Sequence, residues 1–269
     1  MKKSFVERTL STLLSASLYA STAEDTAASR GALQAIDPRI KVAGLFGLIM
    51  AVAASHRLWI IEGVFVIAVV LASASRIRLV RLLNWFWLPV LIFTGAIALP
   101  AIFLTPGSPV AELRGICITA QGLRTAGFLI SRAETASTLS ALLVLTTPWP
   151  WVLKALRTFR CPIVIVAVLG MTYRYIFVIL QTAFEMFETR KSRTVGILEP
   201  RERRRLAASA VGVLLSKSLQ LSGDVYLAMQ SRGFRGEIYL LQDFRATRRD
   251  WWWLSGFFIL IAAALWYGR

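Results

Sequence analysis

The sequence predicts an all-α integral membrane protein, with about five transmembrane helices and a layer of long cytoplasmic helices between the fourth and the fifth. Three observations carry this prediction. Of 269 residues, 56% are hydrophobic and the mean hydropathy is +0.60, more apolar surface than one water-soluble core of this size conceals. The apolar residues come in runs of near-spanning length, separated by short polar stretches. The 31 Lys+Arg stand against 15 Asp+Glu, and the cations gather at particular run ends.

Residues 1–36 mix Lys2, Lys3, Glu7, Arg8, Glu24 and Asp25 with many Ser and Thr, and only Leu10, Leu13, Leu14 and Leu18 hint at an amphipathic stretch. That is not the basic start, apolar run and small-residue cleavage site of a secretory signal. The segment is read as a cytoplasmic N-terminal arm.

Residues 37–147 read as a transmembrane bundle of four spans. The runs Ile40–Ala54 and Leu58–Ala72 fall short of the ~20 residues of a full crossing, and only Ser55-His56-Arg57 separates them. A tight helical hairpin with tilt covers the deficit. Trp85–Leu104 and Gly115–Thr146 follow. Cations flanking spans stay cytoplasmic, so Arg39 and Lys41 put the entrance inside and Arg57 alone marks an outer turn. Arg76, Arg78 and Arg81 return inside, and Thr105–Arg114 is an outer loop.

The fifth apolar run, Pro162–Leu180, conflicts with the charge rule. A crossing there would export Arg190, Lys191, Arg193, Arg201, Arg203, Arg204 and Arg205, and the run carries Arg174 at its centre, an expensive residue in hydrocarbon. Residues 148–236 are therefore read as long cytoplasmic helices packed partly under the bundle, with a six-span count as the alternative. Residues 237–269 are a basic linker and a last span, Trp251–Tyr267, whose start is held inside by Arg245, Arg248 and Arg249 beside a tryptophan belt.

In the cytoplasmic layer, Thr146-Thr147-Pro148 breaks the chain before an amphipathic segment with Leu153 and Leu156 opposite Lys154, Arg157 and Arg160. It reads equally well as a headgroup-anchoring helix. Glu185 and Glu188 precede Arg190, Lys191 and Arg193 at helical spacings, which suits side-chain pairing and the helix dipole. Gly196 can end that helix. A second long helix starts at Glu199-Pro200 and crowds Arg201, Arg203, Arg204 and Arg205 at its positive end, an arrangement suited to anionic lipid headgroups. It runs through Leu214, Leu215, Leu219 and Leu221 to Gly233. Arg193 and Arg232 are thus each the last projecting residue of a long helix, within Ser192-Arg193-Thr194 and Ser231-Arg232-Gly233.

Five stretches now stand in order: Asp37-Pro38-Arg39-Ile40-Lys41, Thr146-Thr147-Pro148, Thr172-Tyr173-Arg174-Tyr175, Ser192-Arg193-Thr194 and Ser231-Arg232-Gly233-Phe234. Together they resemble the CbiQ-type transmembrane (T) component of an energy-coupling-factor ABC importer of the cobalt/nickel class, over about residues 37–236. The resemblance implies an EcfT-like fold in which residues 148–236 are coupling helices. It implies that Ser192, Arg193, Thr194, Ser231, Arg232 and Gly233 dock into two ABC ATPase subunits (CbiO-like). In that family each tip is an Ala-Arg-Gly-like triplet; here Ser replaces Ala at both tips, and Thr194 stands where Gly is typical. The further partners implied are a metal-binding membrane subunit (CbiM-like) with a small accessory subunit (CbiN-like), and membrane lipids, but no nucleic acid. The expected location is a bacterial plasma (inner) membrane, multi-pass, with the N-terminus cytoplasmic.

The residue inventory agrees with that division of labour. No G-x-x-x-x-G-K-[ST] phosphate loop occurs, so ATP hydrolysis is not expected of this chain, which is read as a non-enzyme with ATP and Mg on the partner ATPases. Leu221-Ser222-Gly223-Asp224 is a chance likeness to an ABC signature. Cobalt or nickel wants clustered nitrogen or sulfur ligands; the one histidine, His56, lies in the outer turn and reads as an ordinary interface residue. Cys117 and Cys161 lack paired spacing. No cofactor is expected in this chain, and the metal is expected on the partner subunit. Arg124, Arg132 and Glu134 face either such a partner, the bundle interior or a membrane edge. A self-contained secondary transporter or channel is the competing class, and it would use intramembrane charges as its pathway. A membrane-bound enzyme is a third, and no catalytic constellation is found for it.

Overall fold

The computed structural model describes residues 11, 12, 14, 15, 31–104, 109–113, 116–193, 199–234 and 248–268. They are helical apart from one two-stranded hairpin, and the chain divides into two compact units: 24–155 with 244–269, and 1–23 with 156–243.

The first unit is a helical bundle. Helix α1 (Pro38–Ala54) starts where Asp37 caps it, the carboxylate accepting from the Arg39 amide at 2.9 Å, with Pro38 in the first turn where no donor is lost. It ends at Ser55, whose hydroxyl donates back to the Ala51 carbonyl at 2.8 Å. Helix α2 (Leu58–Ala74) has 17 residues, about 26 Å of rise. It closes with the Ile77 amide on the Ala72 carbonyl and Arg76 in the left-handed region at φ 57°. The expected helical hairpin is therefore present, with His56 in its turn donating its amide to the Gly268 carbonyl at 2.7 Å.

The third span is continuous but irregular. A short α3 (Leu79–Leu82) passes through a π-turn (Leu83–Trp87) into α4 (Leu88–Leu104), which tolerates Pro100 within it. The π-turn is held by Trp87, whose indole N–H donates to the Thr138 hydroxyl at 2.9 Å and whose ring lies 5.4 Å from that of Phe65.

The next element corrects the apolar-run reading. Gly115–Thr146 was expected as one span, but Pro109–Leu113 (β1) and Ile116–Thr119 (β2) pair antiparallel, and helix α5 (Ala120–Thr146) begins only at Ala120. Val110, Ile116, Ile118 and Thr119 are β-branched and favour extended backbone. Thr119 then caps α5, its hydroxyl accepting from the Gly122 amide at 3.2 Å. Helix α6 (Trp149–Thr158) follows the break at Thr147, and α9 (Arg248–Gly268) completes the bundle. Its Asp250, buried, accepts the Asp37 amide at 3.1 Å and ties the start of α9 to the start of α1.

The core sits among α1, α2, α5 and α9: Leu45, Leu48 and Val52 pack with Ile61, Val64, Leu139, Leu142 and Phe257. The outward faces are equally apolar. Trp59 is 88% exposed and Phe93 71%, while Trp251 and Trp252 at one end of α9 and Trp266 and Tyr267 at the other are all exposed. About 14 residues, some 21 Å, separate these two aromatic ends. A water-soluble domain would not leave such a surface bare; a bilayer covers it and places tryptophans at its interfaces.

The second unit holds α7 (Ile163–Arg193) and α8 (Pro200–Ser231). Helix α8 begins at Pro200 as expected, and Glu202 accepts the Glu199 amide at 3.2 Å. Helix α7 covers the apolar run that the charge rule assigns to the cytoplasmic layer. Among the described residues four stretches are long and apolar enough to cross a membrane: Leu83–Ala101, Ala120–Thr146, Ile163–Ser192 and Arg248–Gly268. The third lies in the segment assigned to a cytoplasmic layer, and none of its apolar window is buried within the chain. The chain is a multi-pass, helical membrane protein.

Candidate functional site

The residues expected to act lie on α7 and α8, which run antiparallel. Phe187 and Ala210 are buried against each other with Phe184, Met186 and Leu206, pairing the end of α7 with the start of α8. Toward the other end a groove of about 550 Å3 opens, lined by Val164, Val168, Ile176 and Ile179 of α7 and by Ser218, Ser222, Met229 and Phe234.

This topology decides where the two arginine tips stand. Arg193 is the last residue of α7, and Arg232 caps α8. Because the helices are antiparallel and 31 and 32 residues long, the tips lie at opposite ends of the pair, roughly 45 Å apart. They are not brought together as one site. Thr194 and Gly196 lie outside the described residues.

The α8 tip is built by its backbone. The Phe234 amide donates to the Met229 carbonyl at 3.0 Å, and the Gly233 amide donates to the Gln230 carbonyl at 2.9 Å. These two bonds close a helix end that needs a left-handed residue, and Gly233 supplies it at φ 76°. The turn seats Phe234 in the groove beside Met229 and leaves the Arg232 side chain exposed. Ser231 donates its hydroxyl to the Ala228 carbonyl at 2.9 Å, and Ser192 does the same to Thr189 at 2.7 Å. Both hydroxyls are thereby satisfied within their own helices, and each serine acts as a small residue beside its arginine.

Gly233→Ala tests this cap. An added Cβ meets nothing within 4 Å, so the cost is conformational, about 1–2 kcal/mol. Exchange of the Gly233 and Phe234 amides is expected to quicken by roughly 5- to 30-fold; unchanged rates would mean that the left-handed turn is not what closes the helix.

The remaining sequence candidates are dispersed. Arg132 faces the bundle, its Nη2 donating to the Ser55 carbonyl at 2.7 Å, so it ties α5 to the α1–α2 turn. Arg124 lies over the Phe128 ring at 5.8 Å. His56 borders a cavity of about 620 Å3 with Trp266 and Leu265, and no group of three metal-ligating side chains gathers among the described residues. One contact was not foreseen. Lys41 is buried and its Nζ donates to the Thr146 carbonyl at 3.0 Å, which joins two of the five matched stretches.

The CbiQ family profile, described as cobalt transport protein, matches residues 30–240. The chain belongs to the CbiQ family. It is 37% identical over 215 residues to an uncharacterized protein of Methanocaldococcus jannaschii, covering 77% of this chain and 73% of that one. It is 29% identical over 154 residues to the cobalt transport protein CbiQ of Rhodobacter capsulatus, covering 55% of this chain and 63% of that one. The matched CbiQ region contains α1 through α8 and both arginine tips. As a member of this family, the chain is a membrane component of cobalt transport.

Proposed function

We propose that the chain is the transmembrane coupling subunit of an energy-coupling-factor ABC importer for cobalt ions. In this reading two ATPase subunits supply the energy and bind ATP and Mg, a separate membrane subunit binds the metal, and this chain passes movement between them. The observation that carries it is the placement of Arg193 and Arg232 at the two far ends of one antiparallel helix pair. An ABC motor works as a pair of like subunits, and two like tips on oppositely directed helices are related by an approximate two-fold axis, as such a pair requires. A guanidinium presented at a helix end beside a small residue suits a groove with carboxylate or carbonyl acceptors.

The same reading puts both tips on the cytoplasmic side of a plasma membrane, as the positive-inside rule favours for Arg190, Lys191, Arg201 and Arg203–Arg205. Ser192→Cys and Ser231→Cys, each exposed in the structure, are expected to react with a membrane-impermeant maleimide in inverted vesicles and not in intact cells. Labelling from the outer face would end the assignment. Reconstitution provides a second check: cobalt uptake into liposomes is expected only with the ATPase and metal-binding subunits present. Uptake by this chain alone would favour a self-contained transporter.

A further inference from the structure

The largest fully buried side chain among the described residues is a cation, Lys41, at 1% exposure. It lies in the first turn of α1, where the helix dipole disfavours positive charge. A buried ammonium is tolerated only when something compensates it. Here the compensation comes in part from the carboxylate of Asp37 one turn earlier and in part from another helix: Nζ donates at 3.0 Å to the carbonyl of Thr146, the last residue of the 27-residue α5. The carbonyls of a helix's last turn have no partner within the helix and stand at its negative end. Thr146 and Thr147 are themselves buried, at 0% and 2% exposure, so this end is shielded from water. The Asp37 carboxylate, which attracts the ammonium, also accepts the Arg39 amide, and Asp250 accepts the amide of Asp37.

The position of this bond gives it a use. Just beyond Thr146 the backbone turns extended at Thr147 (φ −134°, ψ 115°), and Pro148 prevents the helix from continuing. Helix α6 starts there, and the boundary between the two units falls within α6, between Ala155 and Leu156. Movement handed along the chain from one unit to the other crosses this break.

We propose that Lys41 is a positioning residue whose ammonium locks the end of α5 and holds the Thr147-Pro148 break in one conformation. The role in transmission rests on the coupling reading above; the lock itself does not. Lys41→Met keeps most of the side-chain volume and removes the donors and the charge. Lys41→Arg keeps both.

The test is amide hydrogen exchange on the full chain purified in lipid nanodiscs. In K41M the amides of 147, 149–152 are expected to exchange at least 10-fold faster, with those of the α5 middle unchanged, and K41R is expected to stay within about twofold of the wild type. Wild-type exchange across the break in K41M would overturn the lock. Should K41M not be recovered folded, K41L, which also lacks donors and charge, is measured in the same way, with the same two outcomes. In the assembled transporter, K41M is expected to retain its ATPase subunits and their hydrolysis while moving several-fold fewer ions per ATP, and K41R to restore the ratio. A loosened break with an unchanged ratio would overturn the role in transmission. The coupling reading fails separately, if variants of Arg193 and Arg232 keep the ATPase subunits.

Discussion

Arg193→Glu combined with Arg232→Glu is expected to release both ATPase subunits and to abolish cobalt uptake, while the chain stays folded in the membrane. Each arginine would be the anchor of a small interface, and truncating such an anchor costs about 2–4 kcal/mol, roughly 30- to 1,000-fold in affinity. Charge reversal adds repulsion from the acceptors that a guanidinium would have met. The separation of the tips sharpens the expectation. Sites far apart without shared partners contribute additively, and ends roughly 45 Å apart on opposite ends of the α7–α8 pair share none. Arg232→Ala alone is therefore expected to weaken one ATPase contact and spare the other, visible as altered stoichiometry in co-purified complexes. Native stoichiometry and normal uptake in the double variant would refute the coupling assignment.

The second large effect is expected inside the bundle, from Gly44→Leu. A Cβ placed on Gly44 would sit 2.5 Å from Cγ of Phe257, and one on Gly47 would sit 2.6 Å from Cδ1 of Ile261. Small residues on α1 thus let α9 approach closely, and in a bilayer, where helices gain little from leaving lipid, such packing is what holds them together. Phe257 is 3% exposed and has no room to turn away. Overpacking of this kind costs about 1–3 kcal/mol or more. For a chain of this size that corresponds to a fall in Tm of roughly 2–4 °C per kcal/mol. Gly44→Ala is expected to shift it less. The displaced α9 would also loosen the bond from the Asp37 amide to Asp250. A Gly44→Leu protein melting with the wild type would show that the α1–α9 contact contributes little.

Much of the architecture was legible because it is encoded locally. Asp37 before Pro38 and Glu199 before Pro200 mark helix starts through cap chemistry that involves only neighbouring residues. Gly233 marks a helix end because few other residues adopt φ 76° without cost. The turn at Ser55-His56-Arg57 and the last span Trp251–Tyr267, which lies within the helix Arg248–Gly268, were likewise readable from run lengths and flanking cations. One reading was shortened where local signals disagree. The run Gly115–Thr146 held the second strand of a β-hairpin ahead of its helix, because apolar β-branched residues look alike in strand and membrane helix. In the stretch 163–192 two signals pull apart: it is long and apolar enough to cross a membrane, while the cations that follow it favour the cytoplasmic side.

Helix class, membrane character and the two arginine-bearing helix ends are thus written in the order of the residues, since hydropathy and capping act over a few positions. Three-dimensional packing alone settled that positions 193 and 232 stand at opposite ends of one helix pair, that Arg132 reaches the Ser55 carbonyl, and that a lysine in α1 closes the end of α5. Those pairings join residues up to 105 positions apart. They depend on which helix faces are buried together, and that is decided by the competition of all faces for the same core.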